Sequence, residues 1–372
     1  MLFKDIIGQE VVINKLQSFV AKDRISQAYL FSGKQGVGKL ALAISFAQYI
    51  MCKNKKGGDS CGECPSCKKF QKLEHPDCHF VFPFFAKSSG TNCDAYIQDF
   101  RNQILDTPYF DISKWWDIMG DAKKEGIINR SESNNIIHKI NLTSYESEYK
   151  VMIIWYPELM TQECANSILK TLEEPPHKTV FILVSNNSDK IMETISSRTQ
   201  KIEIPNISND EIRKVLIDKY HKSEDDAINL SKLSLGSWTR VLNLLIETEE
   251  IKRNFEHFTL LMRTCWGRKV LDLIKWSNTI AGWGREQQKS FLLYSIKMVR
   301  ESFMNNFGDS SIIYANSKEE KFMERFSPFI NEENLLILFK ELNKAYQDIQ
   351  RNANPKLVFL DMSLKLIKVI RP

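Results

Sequence analysis

The glycine-rich stretch Gly33–Leu40, which reads GKQGVGKL, constrains the fold more than any other part of the sequence. It has the phosphate-loop spacing G-x-x-x-x-G-K, and it lies between an apolar run, Ala28–Phe31, and a helical pattern from Lys39 to Met51. In such loops, glycines let backbone N–H groups converge on phosphate oxygens, the helix N-terminus adds positive potential, and the lysine reaches the outer phosphates. The stretch therefore predicts a phosphate site made of Gly33, Lys34, Gln35, Gly36, Val37, Gly38, Lys39 and Leu40.

One position of this loop departs from the pattern. Leu40 stands where a serine or threonine hydroxyl would hold Mg²⁺. The loop therefore predicts phosphate binding without one of the usual metal ligands. The alternative is a glycine-rich turn that only starts a helix.

Composition sets the class of protein. The chain has 372 residues, enough for two or three domains, and its apolar fraction of 43% and charged fraction of 26% are those of a globular protein. The net charge of +5 permits contact with nucleic acid but does not argue for it. We find no apolar run of 18 residues and no signal-peptide pattern at the N-terminus, so we expect a cytoplasmic protein without a membrane span.

Four of the eight cysteines are crowded into sixteen residues: Cys52, Cys61, Cys64 and Cys67. Two overlapping C-x-x-C pairs place three thiolates on one tight turn, and Cys52 at a helix end supplies a fourth. This spacing predicts a zinc module over about 52–78, and because four sulfurs leave no open position, the Zn²⁺ is expected to be structural. A redox C-x-x-C pair or unrelated free thiols remain the alternative.

Strand and helix patterns alternate over residues 1–205, which predicts a parallel, doubly wound α/β sheet. The predicted strands are Ala28–Phe31, His79–Phe85, Tyr149–Ile154, Thr179–Val184 and Lys201–Ile204. Residues from about 86 to 130 show no clear period, and we interpret them as an insertion with short helices. Within it, Trp115 and Trp116 could anchor a partner, although packing onto the body of the domain is the favoured interpretation. After Pro205 all readable patterns are helical.

Several strings together resemble the clamp-loader clade of AAA+ proteins, and within it the delta-prime subunits of bacterial DNA polymerase III. The most specific is NSILKTLEEPP at Asn166–Pro176, and the resemblance extends over nearly the whole chain. The phosphate loop, the cysteine module, His75-Pro76-Asp77 and Ser197-Arg198-Thr199 follow in the order of that family. A further match, Arg351–Lys356, lies near the C-terminus.

The resemblance implies three domains and a set of partners. The domains are an AAA+ nucleotide-binding-like domain at 1–205, a small helical lid at 206–250 and an all-α collar at 251–372. The partners implied are gamma- or tau-like ATPase subunits and a delta-like subunit in a ring of five, the sliding clamp, and primed DNA reached through the complex. ATP or ADP could occupy the loop without being hydrolysed.

Two arginines acquire roles from the same resemblance. Arg198 matches the arginine that projects into a neighbouring ATPase site, where a guanidinium stabilises transition-state charge. A surface arginine that caps a helix or pairs with an acid is the alternative. Arg240 matches the second sensor of the family, but a surface charge on a helix explains it almost equally well.

The end of the strand Val151–Ile154 decides the type of subunit. A catalytic member carries Asp-Glu there to hold Mg²⁺ and orient water, whereas this chain has Trp155 and Tyr156. Phosphoryl transfer depends on positioning and metal charge, so these departures and Leu40 predict a subunit that does not hydrolyse ATP. The alternatives are a gamma- or tau-like ATPase with degenerate motifs, and a zinc-ribbon DNA binder, which no aromatic-and-basic strand pattern supports.

Overall fold

The chain folds into two compact units, Met1–Leu244 and Leu245–Pro372. The structure, a computed structural model, describes residues 1–86, 88, 90–120, 125–306 and 317–370. The unit boundary falls inside one long helix, Trp238–Trp266. The predicted division at 205 and 250 into nucleotide-binding-like, lid and collar domains stays a prediction.

A parallel sheet of five strands forms the centre of the first unit within the described residues. Their bounds are Ala28–Ser32 (β1), Cys78–Val81 (β2), Lys150–Trp155 (β3), Thr179–Ser185 (β4) and Gln200–Glu203 (β5). The spatial order is β2-β3-β4-β1-β5, so β1 lies between β4 and β5, with Leu30 opposite Leu183 and Lys201. The carboxyl ends of β1, β4 and β3 therefore meet at one edge of the sheet, where open α/β sheets bind ligands.

Burial on both faces explains why these strands read as continuous apolar runs. Every residue of β3 and β4 is buried, as expected for a parallel sheet covered by helices on two sides. The helices of this unit are α1 (Glu10–Ala21), α2 (Lys39–Met51), α3 (Pro65–Gln71), α4 (Ile97–Asp106), α5 (Ile112–Ile118), α6 (Arg130–Asn141), α7 (Gln162–Glu173), α8 (Glu193–Ser196), α9 (Asn209–Asp218) and α10 (Glu224–Ser234). The predicted doubly wound α/β fold is confirmed.

The second predicted strand, His79–Phe85, is wrong in its extent. The strand ends at Val81, and Phe82 and Phe84 are buried outside it. Their apolar character serves a different contact, because the Phe82 ring stacks on Phe100 of α4 with centroids 4.0 Å apart. In a continuous apolar run, the spacing of the apolar residues does not distinguish a buried strand from a buried loop.

The insertion predicted at about 86–130 contains the short helices α4 and α5; residues 87, 89 and 121–124 lie outside the described ranges. Trp115 is fully buried, and its indole N–H donates to the Pro83 carbonyl at 2.8 Å. Trp116 packs against Phe85 with centroids 5.2 Å apart. Both tryptophans therefore fasten the insertion to the body of the unit, which supports packing over a partner anchor.

Helix caps delimit the end of the first unit. Ser208 and Glu211 form a capping box at the start of α9, and the Ser223 hydroxyl accepts the Asp226 N–H at the start of α10. The helix α11 (Trp238–Trp266) follows the left-handed residue Leu235 and Gly236.

The second unit is helical throughout its described residues. After α11 come α12 (Val270–Ala281), α13 (Arg285–Asn305), α14 (Ser317–Phe326), α15 (Glu332–Gln350) and α16 (Pro355–Ile370). Their apolar faces converge on one core, in which Phe258, Phe291, Leu338 and Phe359 are fully buried. Within the described ranges no helix is long and apolar enough to span a bilayer.

Candidate functional site

The phosphate loop leaves the carboxyl end of β1 and ends at the first turn of α2. Gly36 and Gly38 both have positive φ, 81° and 91°, a region that side chains rarely adopt. Space is equally restrictive, because a β-carbon at Gly36 would lie 2.0 Å from the Ser237 hydroxyl. Glycine is therefore required by both dihedral angle and contact at these positions.

Lys39 folds back onto its own loop. Its ammonium donates to the carbonyl oxygens of Gly33, at 2.8 Å, and Lys34. Burial lowers the pKa of Lys39 to about 7, and the nearby Glu158 carboxylate acts in the opposite direction. Backbone carbonyls of the loop thus hold the Lys39 ammonium in a poorly solvated environment.

Tyr109, from the insertion, lies against the loop. A β-carbon at Gly38 would lie 3.0 Å from the Tyr109 ring carbon Cε1. The Tyr109 hydroxyl oxygen accepts the Ile7 backbone N–H at 3.0 Å, and its carbonyl accepts the Thr239 hydroxyl at 3.0 Å. The N-terminal segment and the loop therefore contact the side chain of Tyr109, and the first turn of α11 bonds to its backbone carbonyl.

The carboxyl end of β3 is aromatic. Trp155 is 4% exposed and packs against Phe110, with centroids 4.9 Å apart, and against Phe100 at 5.5 Å. Tyr156 has a left-handed backbone, and its hydroxyl accepts from the Asn186 amide at 2.5 Å. Neither side chain is able to coordinate a divalent cation, whose ligands are oxygen anions, carbonyls and waters.

Glu158 is the carboxylate nearest to these motifs in the chain. Its Oε1 accepts the Asn186 backbone N–H at 3.0 Å, and within the described residues its buried Oε2 has no hydrogen-bond partner. Burial raises the pKa of Glu158. One oxygen of this carboxylate therefore fixes the loop after β4, and the carboxylate as a whole acts to raise the pKa of Lys39.

Arg198 lies between the short helix α8 and β5. Its guanidinium pairs with the Glu173 carboxylate at the end of α7, and Nη1 donates to the Thr194 carbonyl at 2.7 Å. Both side chains line an open cleft of about 490 Å³, together with Ile25, Ser26 and Gln27 before β1 and Ala28, its first residue. The residue is therefore at the surface, on the side of the sheet where β1 begins.

Arg240 is exposed in the first turn of α11. In the same turn the Trp238 backbone N–H donates to the Gly36 carbonyl at 2.9 Å. The turn that carries Arg240 is thereby tied directly to the phosphate loop. The assignment of Arg240 as a sensor stays a prediction.

The four clustered cysteines form a candidate metal centre, in which all four sulfurs lie within 4.8 Å of one another. Tetrahedral Zn²⁺ with Zn–S bonds of about 2.3 Å places its sulfurs about 3.8 Å apart. The Cys61 sulfur lies 3.6 Å from that of Cys52 and 3.9 Å from that of Cys67. The donor set and its spacing therefore fit a structural zinc ion.

Backbone and side-chain contacts hold this centre in place. The N–H groups of Cys61 and Cys64 point at the sulfurs of Cys52 and Cys61, each at 3.3 Å, which favours thiolates. Asp59 accepts the backbone N–H groups of Phe3 and Lys4, each at 3.1 Å. Since Cys52 caps the C-terminus of α2, the module is fastened to both the N-terminal segment and that helix.

Some functional contacts are not evident from the sequence. Tyr109 and Phe110 lie in an aperiodic segment, more than sixty residues after the loop. Tyr109 contacts Gly38 of that loop, and Phe110 packs against Trp155. Gln9 is buried, and its amide donates to the carbonyls of Val37, at 3.2 Å, and Pro205, at 2.7 Å. No local pattern predicts these contacts, because they depend on where the fold brings distant segments.

The parallel sheet with a phosphate loop at its carboxyl edge defines a P-loop type of α/β fold. A family model described as DNA polymerase III, delta subunit, matches residues 8–208, more than half of the 372 residues. The chain belongs to this clamp-loader family.

Individual relatives include two proteins of Bacillus subtilis. The DNA polymerase III subunit delta' is 28% identical over 249 residues, which cover 67% of this chain and 60% of that protein. The subunit tau is 24% identical over 382 residues, 96% of this chain and 60% of that protein. The chain thus spans three fifths of the length of each. A solved gamma subunit-related protein of Thermotoga maritima has a TM-score of 0.40 and 13% identity, covering 96% of this chain and 99% of that one.

Proposed function

We propose that this chain is a delta-prime-like subunit of a DNA polymerase III clamp loader that does not hydrolyse ATP. It assembles in a ring of five with gamma- or tau-like ATPase subunits and a delta-like subunit, through the helices of its second unit. The ring opens the sliding clamp and places it on primed DNA in the cytoplasm. The family and the similarity to delta' support this role.

One observation carries the non-hydrolysing part of the proposal: the aromatic end of β3. Trp155 is packed between Phe110 and Phe100, and Tyr156 is bound to Asn186, where a catalytic member needs two carboxylates. Leu40 is buried and has no hydroxyl to offer a cation. Without metal charge at the β- and γ-phosphates, the transition state loses its main stabilisation.

Arg198 is the residue through which the chain contributes to catalysis in this proposal. It is exposed beside an open cleft, but in the isolated chain it makes the contacts of the alternative interpretation, an ion pair with Glu173 and a bond to the Thr194 carbonyl, which the guanidinium has to leave to reach a neighbouring site. A guanidinium presented to a neighbouring ATPase site acts as an arginine finger. The zinc ion, held by Cys52, Cys61, Cys64 and Cys67, has a structural role only.

A catalytic gamma- or tau-like ATPase is the second candidate, because the tau relative aligns with 96% of the chain and Glu158 lies near Lys39. Glu158 is already engaged with Asn186 through one oxygen, which disfavours a role in orienting water. The two candidates differ in a single measurable quantity, the turnover of ATP by the isolated chain.

The deciding experiment measures ATP turnover of the purified chain, alone and with candidate ATPase subunits, the sliding clamp and primed DNA. We expect no turnover alone, and DNA-stimulated hydrolysis and clamp loading that depend on adding this chain. Turnover of about 1 s⁻¹ or faster by the chain alone, an ordinary enzyme rate, would favour the second candidate. A Lys39→Ala variant serves as the control, because turnover that survives in it comes from a contaminating ATPase.

A further inference from the structure

We propose that the segment Thr107–Ile112 is an internal plug that occupies the nucleotide position of the phosphate loop. Tyr109 fills the part next to the loop, and Phe110 fills the part next to β3. In this conformation the chain therefore does not bind ATP or ADP, which differs from binding a nucleotide without hydrolysing it. This inference rests on contacts of the isolated chain, and it does not depend on the role of Arg198.

The first argument is position. A nucleotide phosphate in this fold lies against the loop and the N-terminus of α2, which begins at Lys39. Tyr109 lies against the loop at Gly38, and a β-carbon there would be 3.3 Å from the Tyr109 hydroxyl and 3.0 Å from its ring. Only 7% of Tyr109 is exposed, so solvent does not separate ring and loop. Nucleotide and phenol ring compete for the same face.

The second argument is hydrogen bonding. The Tyr109 hydroxyl accepts the Ile7 N–H, and the Tyr109 carbonyl accepts from Thr239. These are polar groups from the N-terminal segment and from the first turn of α11, on two sides of the loop. The Thr239 side chain is buried and the Ile7 N–H is partly buried. A buried polar group that loses its partner costs about 1–3 kcal/mol, so the plug satisfies a Thr239 hydroxyl that a closed, empty pocket would leave unpaired.

The third argument concerns the end of β3, where a catalytic member of the family carries its metal-binding carboxylates. Phe110 is 8% exposed and packs on Trp155, the residue that stands in place of the metal-binding carboxylate. Burying an aromatic pair of this kind contributes apolar area and a favourable ring geometry. The segment therefore contacts both motifs, with Tyr109 against Gly38 of the loop and Phe110 against Trp155 at the end of β3.

The plug also fixes the start of α11. Thr239 bonds to Tyr109, while Trp238 bonds to the Gly36 carbonyl. In a P-loop protein that binds nucleotide, contacts to the following helices pass through the ligand. Here Tyr109 and Gly36 make these contacts directly. The position of this turn therefore does not respond to nucleotide.

The test is equilibrium binding of a fluorescent ADP analogue to the purified full chain, without Mg²⁺ because Leu40 removes a metal ligand. We expect no binding by the wild type up to millimolar ADP, and binding by Tyr109→Ala at least tenfold tighter. The matched control is Tyr96→Ala, which removes a buried tyrosine of the same insertion that bonds to Phe85 instead of the loop. Tyr96→Ala should bind no better than wild type.

Two results would overturn the plug. One is micromolar binding of ADP by the wild type, and the other is absence of binding by a folded Tyr109→Ala variant. If Tyr109→Ala does not fold, judged by circular dichroism, Tyr109→Val retains part of the packing and replaces it under the same two criteria.

Discussion

The guanidinium of Arg198 is paired with the carboxylate of Glu173, the residue that ends α7, while Nη1 donates to the Thr194 carbonyl. The pair joins the last residue of a helix to the segment that leads into β5. It places the one arginine to which a catalytic role is proposed in a defined orientation before any neighbour is present.

Arg198→Ala should leave the isolated chain folded and slow hydrolysis by the assembled complex. At the neighbouring site that the arginine completes, a loss on the order of 10³-fold is expected, because a guanidinium supplied in trans has effects of that size. DNA-stimulated ATP turnover of the complex measures it. Arg213→Ala, an exposed arginine paired with Asp210 on α9, is the control. Equal turnover of the Arg198→Ala and wild-type complexes would contradict the finger assignment.

Glu173→Gln should change the free energy of unfolding by less than about 1 kcal/mol. The two side chains are 35% and 44% exposed, and ion pairs in such surroundings contribute little to stability. Urea unfolding followed by tryptophan fluorescence measures the change. A loss of several kcal/mol would show that the pair is a structural element rather than a holder of the arginine; Asp210→Asn provides the comparison.

Cys64→Ser should remove most of the bound zinc and lower the free energy of unfolding by about 3 kcal/mol or more, the range of effects expected when a metal site is lost. A serine hydroxyl stays protonated and is a poor ligand for this ion, so the four-sulfur set is broken. Metal content per chain and thermal melting with and without a chelator measure the effect. Cys164→Ser changes a buried cysteine outside the cluster and should retain wild-type zinc. Wild-type zinc in Cys64→Ser would refute the centre.

Stability should fall as the pH drops from about 6.5 to about 4, and His79 should account for part of the fall. Burial, assisted by Lys139 and Lys150, lowers the pKa of His79 to about 4. The unfolded chain, with a histidine pKa of about 6.5, takes up a proton that the folded chain refuses, so acid favours unfolding by up to about 3 kcal/mol. Urea midpoints at pH 7 and pH 4.5 should differ less in His79→Gln than in wild type.

The control for this titration is His221→Gln, a change at an exposed histidine. It should preserve the wild-type difference between the two midpoints. If His79→Gln shows the same difference as wild type, the acid sensitivity arises at other groups, for example at carboxylates of the first unit.

The sequence predicts the sheet and the proximity of the four clustered cysteines well, because local residues determine both; zinc binding by these cysteines stays a prediction. Apolar runs such as Val151–Ile154 mark buried parallel strands, and the cysteine spacing alone brings four sulfurs together. The extent of the strand after His79 was predicted wrongly, since burial in a loop looks the same as burial in a strand. Trp115 and Trp116, expected to pack, do pack.

The contents of the phosphate loop are the part that the sequence does not predict. A motif defines which backbone geometry can cradle a phosphate, but not whether another segment already lies there. Tyr109 contacts Gly38, Ile7 and Thr239 at once, which belong to three other parts of the chain. Such a contact depends on the tertiary structure, so no local sequence pattern predicts it.

The helix α2 begins at the phosphate loop and ends at Met51, next to Cys52 of the candidate metal centre. Thirteen helical residues make a rod about 20 Å long, so the two centres are the two ends of one stiff element. If these cysteines hold zinc as proposed, its removal should release the end of α2 at Met51, so we expect the helix to fray there before it frays at the loop. After metal removal, amide hydrogen exchange should therefore speed up first near Met51 and last near Lys39.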